Sequence, residues 1–176
     1  MRTFFVFMLS AWSLAGAFSP AHADNIYLDP MSFVKTQFSG HPPKAKVIWL
    51  DKTLKAKLAA ILQHEYTGLR IRYWQDNQGV HKTVWVLNEI GKEKNITLGV
   101  TVINKKIKIV KVLAFRESRG WEIKHDFFTQ QFKDVFLKDD KSLSHTIDGI
   151  TGATLSVRAV KKMTTMALLL DSLVQP

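Results

Sequence analysis

The sequence predicts an α+β fold, an antiparallel sheet packed with helices. Two pairs of strand-like segments meet across short polar or glycine-bearing connections, at residues 69–87 and 96–115. Segments of helical periodicity lie on either side of them, at 51–62 and 155–173. There is no cysteine, so stability has to come from the core alone.

The elements follow in chain order. Asp24 to Pro43 shows little periodicity and contains Asp29-Pro30, Ser39-Gly40 and His41-Pro42-Pro43, which predict an extended arm with turns, reaching to about residue 50. Lys46 to Leu50 is apolar enough for a short strand. Asp51 then caps a helix with Leu54, Leu58, Ile61 and Leu62 on one face, ended at Tyr66-Thr67-Gly68. Leu69 to Trp74 and Val80 to Leu87 read as strands joined through Asp76-Asn77-Gln78-Gly79, with Trp74 and Trp85 as packing residues. Ile96 to Ile103 and Lys106 to Phe115 form a second pair around Asn104-Lys105. Lys106 and Lys108 share its solvated face. Asp126 to Leu137 places Phe128, Phe132, Val135 and Phe136 at helical spacing, and Lys138 to Ser142 is a charged loop. His145-Thr146-Ile147 is expected as a short strand before a last helix over Leu155–Leu173.

The N-terminus has the form of a secretory signal peptide: Met1-Arg2-Thr3, an apolar run from Phe4 to Phe18, and the small-x-small site Ala21-His22-Ala23. The run is too short, and the cleavage site too near, for a membrane span. No arginine pair precedes it, so general secretion is expected, with a periplasmic product. Cleavage after Ala23 leaves 153 residues and lowers the formal charge from +10 to +9, because only Arg2 is lost among the charged residues. That size suits one domain without a transmembrane span. The charge favours anionic lipid or an acidic redox partner, and nucleic acid is not expected in that compartment. A solvated lysine-rich surface, kept soluble by its charge, accounts for it more simply than a dedicated docking patch.

The most specific stretch is Asp148-Gly149-Ile150-Thr151-Gly152-Ala153-Thr154-Leu155-Ser156. The pattern Asp-x-x-(Ser/Thr)-Gly-Ala-Thr arises by chance about once in several hundred thousand positions. Gly152 and Ala153 let a backbone turn approach a ligand closely, and a helix follows at once. Its N-terminus offers unsatisfied N–H groups beside the hydroxyls of Thr151, Thr154 and Ser156, which suits a phosphate. A plain turn with a threonine N-cap is the alternative.

Over about Ile96 to Val174 these residues resemble the FMN-binding domain family, whose members include flavin-carrying components of the sodium-pumping NADH:quinone reductase and of the Rnf complex. Glu117-Ser118-Arg119-Gly120 is similar to that family's acidic-hydroxyl-x-Gly segment, and Phe127 to Phe132 to its Phe-x-x-Gln-Phe helix. Lys133-Asp134-Val135 departs from it where many relatives place a glycine. The resemblance implies FMN joined by a phosphoester bond to Thr154, attached by a flavin transferase that uses FAD and magnesium. It further implies that Asp148, Gly149, Thr151, Gly152, Ala153, Leu155 and Ser156 shape or line the site. Ser118, Arg119 and Gly120 are implied as further contacts, with Glu117 open between a ligand and a structural role.

On this basis residues 1–23 are the leader, 24–50 the arm and 51–176 an FMN-binding α+β domain. No catalytic residue and no metal ligand is expected: His64-Glu65 lacks a second histidine at zinc-binding spacing, and His125-Asp126 has no placed nucleophile. Asn95-Ile96-Thr97 matches a glycosylation acceptor only by accident. The expected role is a periplasmic electron carrier relaying electrons between a membrane reductase and a periplasmic acceptor. A stand-alone flavin-dependent reductase and a noncovalent anion-binding or structural module are the competing readings.

Overall fold

The computed structural model describes residues 25–76 and 79–174. The expected leader and the Asn77-Gln78 part of the first hairpin connection lie outside the described residues. Among the described residues six strands form one antiparallel sheet in the order β1-β6-β5-β4-β3-β2. These are β1 (Asn25–Ile26), β2 (Lys46–Trp49), β3 (Arg70–Asp76), β4 (Lys82–Ile90), β5 (Asn95–Ile103) and β6 (Lys106–Phe115). The helices are α1 (Pro30–Gln37), α2 (Lys52–Leu62), α3 (Asp126–Thr129) and α4 (Thr154–Leu173). The α+β class and the antiparallel sheet are as the sequence predicts.

The sheet separates two cores. On one face α4 and α2 cover Trp85, Leu98, Val100 and Val102, together with Phe128, Phe132 and Val135 from the segment after β6. Trp85 is fully buried and stacks on Tyr73 with ring centroids 4.9 Å apart. On the other face α1 covers Trp74, Val84 and Leu113 with Phe33, Val34 and Phe38. Both tryptophans are therefore packing residues. Gly99 is required there, because a Cβ on it would overlap the Phe33 ring.

Three elements differ from the expectation. Asp24 to Pro43 is not an extended arm throughout: it contributes strand β1 and helix α1. Asp29-Pro30, read as a turn, is an N-cap followed by proline at the start of a helix, with Asp29 accepting from the Ser32 N–H at 2.8 Å. Burial of Phe33 and Val34 against the sheet stabilises this short helix, which its own propensity would not. Asp126 to Leu137 is not one helix. It runs as α3, then a 3₁₀ turn over Gln130–Phe132, and stops where Asp134 adopts φ +60°. The backbone of residues 134 and 135 instead exchanges hydrogen bonds with Ile107, at 2.7 and 2.9 Å. His145-Thr146-Ile147 forms no strand; Ile147 is simply buried.

Other elements follow local chemistry. Asp51 caps α2 by accepting from Leu54 N–H at 2.7 Å, and the helix ends earlier than Tyr66, at a left-handed Gln63. Asn104 and Lys105 both have positive φ, the geometry of a tight turn matched to strand twist. No helix among the described residues is long and apolar enough to cross a membrane.

Candidate functional site

The stretch 148–156 lies on the α4 face of the sheet, and its shape is held from three sides. Ile147 is buried below it. The Asp148 N–H donates to Gln131 Oε1 at 2.7 Å, so the segment after α3 fixes where the turn begins. Gln131 is placed for this by its neighbours: Phe128 and Phe132 are buried edge-to-face, centroids 5.5 Å apart. Gly152 has φ +81°, a conformation that side chains other than glycine adopt only with strain, and the Ala153 N–H closes on the Ile150 carbonyl at 2.9 Å.

Helix α4 then starts at Thr154, one residue before the expected start. Ala153 occupies the N-cap position and no side chain caps the helix. The first intrahelical bond runs from Val157 N–H to the Ala153 carbonyl at 2.9 Å. The preceding N–H groups lie at the positive end of a 20-residue helix dipole. Thr151 and Thr154 are exposed here, and Asp148, Gly149 and Leu155 are exposed with them.

Ser156 does not join the exposed hydroxyls. It is 4% exposed and faces Gly120, where a Cβ would collide with its hydroxyl and crowd Ala153. Gly120 has φ +90° and is thus how the loop after β6 meets the motif. Ser118 and Arg119 are exposed, while Glu117 Oε1 accepts the N–H groups of Lys92, Glu93 and Lys94 at 2.5, 2.6 and 2.8 Å. Burial pushes the Glu117 carboxyl up, but these backbone donors and the Lys92 charge outweigh it, and the group titrates below the ordinary carboxylate range. Glu117 is the anchor of the β4–β5 connection.

From Thr154 a groove of about 1120 Å³ runs along α4 towards α2 and the 141–146 loop. Lys57, Lys141, His145, Arg158, Lys161 and Lys162 line it, and no carboxylate is among its described lining residues. Ile61, Val157 and Leu169 give it an apolar floor. Sequence reading missed these lining residues, although Thr154, Arg158 and Lys161 stand at i, i+4 and i+7 and so on one helix face. Lys57 and Lys141 come from other elements and carry no local signal. An exposed hydroxyl, a helix N-terminus without a side-chain cap and a cationic groove with an apolar floor fit a phosphate that carries a flat aromatic group.

Among the described residues no cluster of histidine and acidic side chains could hold a metal ion. His64 instead pairs through Nε2 with the buried Glu89 at 2.9 Å, and Lys162 approaches the same carboxylate at 3.5 Å.

Residues 91–169 match the family model of the FMN-binding domain. No curated protein and no solved structure gives a match. The matched span opens at the turn held by Glu117, takes in β5, β6, the Gln131 segment and the motif, and closes within α4. It covers two strands of the six; the other four and α1 and α2 come from the preceding chain. Residues 91–169 belong to the FMN-binding domain family, and the chain is a flavin-binding protein.

Proposed function

We propose that FMN is held covalently, by a phosphoester bond from Thr154 Oγ, and that the protein carries electrons outside the cytoplasm between a membrane reductase and a periplasmic acceptor. The observation that carries this is the position of Thr154: an exposed hydroxyl on the first residue of α4, at the mouth of the cationic groove. The bound flavin supplies the redox chemistry, accepting electrons in pairs and passing them on singly.

The chain's own residues anchor and orient it. The free N–H groups at the start of α4 and the Arg158 side chain one turn on offset the phosphate charge. Gly152 and Ala153 keep the approach open, and Gln131 and Gly120 hold the turn from below. The apolar floor would cover a flat ring bound there, and Lys161 and Lys57 would give it positive surroundings. A covalent bond keeps the cofactor where free FMN is not replenished. Loading falls to a flavin transferase, met after export through the leader, that with magnesium breaks the pyrophosphate of FAD, transfers its FMN moiety to Thr154 Oγ as the hydroxyl gives up its proton, and releases AMP.

The test is the intact mass of protein purified from the periplasm of a host that supplies an active transferase, beside Thr154→Ala. A yellow protein heavier by one FMN less water, with colour and mass lost in the variant, supports covalent attachment. An unmodified chain that binds added FMN reversibly would replace it with a noncovalent site. Recovery of the protein only from the cytoplasm would remove the extracytosolic role.

A further inference from the structure

We propose that the sheet face opposite α4 is a docking surface for anionic membrane lipid. Helix α1 covers only the middle of that face. The pairing register places Val47 opposite Arg72 and Trp49 opposite Arg70, on the same side of the sheet as Trp74 and Val84 beneath α1. The same alternation brings Asn88 and Ile90 of β4 to this face, paired with Thr97 and Asn95. The uncovered corner thus presents Trp49, 68% exposed, with Val47, Ile90, Arg70 and Arg72 also exposed.

Its chemistry suits a bilayer surface. The Arg70 guanidinium lies over the Trp49 ring, 5.6 Å from its centroid, so the most exposed aromatic among the described residues carries a cation on its face. Tryptophan settles at the headgroup level, and arginine pairs with lipid phosphate while its stem covers apolar surface. No carboxylate stands at any of the register positions named. The charge is complementary to anionic lipid, whose surface potential attracts each arginine. Four residues of a short edge strand and the ends of its neighbours make a broad pleated face, which matches a planar partner rather than an inserted peptide. Docking in this way leaves α4 and Thr154 on the far side of the sheet, open to water. The proposal does not depend on the flavin.

The processed protein is incubated with vesicles of about 30 mol% phosphatidylglycerol in phosphatidylcholine, and with pure phosphatidylcholine, then sedimented. Binding to the anionic vesicles alone, weakened at least about fivefold by 0.5 M salt, is expected. The variant Trp49→Ala/Arg70→Glu/Arg72→Glu should stay in the supernatant while keeping the wild-type circular dichroism. Arg70→Lys/Arg72→Lys, which keeps both charges, should retain most of the binding. Equal binding by wild type and the triple variant would overturn the proposal. So would failure of the wild type to bind, or loss through Lys57→Glu/Lys161→Glu alone, which would transfer the contact to the α4 groove.

Discussion

Gly120 stands directly against the Ser156 hydroxyl, and this contact joins the loop after β6 to the first turn of α4. At φ +90° Gly120 sits where an L residue is strained, and an added methyl would drive into Ser156 as well. Gly120→Ala should cost about 3 kcal/mol in denaturant unfolding, the sum of backbone strain and overpacking. Gly152→Ala meets no neighbour within 4 Å and bears only the φ penalty, so it should cost about 1 kcal/mol. Equal losses from the two would refute the packing role of Ser156.

Arg158 is the cation nearest in sequence to Thr154 on the same helix face. Arg158→Glu should slow FMN loading by the transferase on the order of tenfold at low salt, with the difference shrinking as salt rises. Loading is read as the rate of mass gain. A rate unchanged by the substitution at low salt would exclude the groove as the phosphate's electrostatic surroundings.

Glu117 holds three backbone N–H groups as a carboxylate. Its depressed pKa means that its contribution to stability is present above the unfolded value of about 4.3 and is lost as pH falls through the lower folded value. Glu117→Gln should therefore destabilise at pH 7, by about 2 kcal/mol. The gap from wild type should close below pH 4. A gap independent of pH in urea unfolding would show that the ionised form is not what the loop needs.

His64 has the opposite sign. The Glu65 carbonyl at its Nδ1 and then the Glu89 carboxylate at Nε2 raise its pKa, against burial and the Lys162 charge. Stability from this pair is full below about pH 6.5 and is lost as pH rises through the folded value above it. The ring is 45% exposed, so the effect is small. The melting temperature of His64→Gln should be flatter than that of wild type over this window, and parallel profiles would remove the pair as the cause.

Thr83 is fully buried, donating to Asp171 Oδ1 at 2.6 Å and accepting from the Trp85 indole at 2.8 Å. His81 Nε2 meets the same Asp171 oxygen at 3.1 Å, so the network ties β4 to the end of α4. Thr83→Val keeps the shape but strands the indole N–H and weakens the hold on a buried carboxylate. A loss of about 3 kcal/mol is expected in chemical denaturation. A loss below about 1 kcal/mol would show that the network adds little beyond packing.

The strands of the two hairpins, the cap at Asp51, the turn at Asn104-Lys105 and the position of α4 were all legible in the sequence, because alternation, helical spacing and turn chemistry are set by neighbours in the chain. The motif turn was legible too, since its specificity lies in a few contiguous residues. Helix α1 was not: eight residues with a weak pattern become helical through burial of Phe33 and Val34 on a sheet formed by later strands. The break after Phe132 was hidden as well, because residues 134 and 135 give up helical hydrogen bonds for partners at Ile107. The site divides in the same way. The exposed position of Thr154 at the start of α4 follows from contiguous residues, while the Gln131 support, the engagement of Glu117 by the β4–β5 connection and the meeting of Lys57 and Lys141 with Arg158 depend on distant segments brought together by the core. Local free energies decide elements and turns; which side chains share a groove is decided only when the sheet faces are buried.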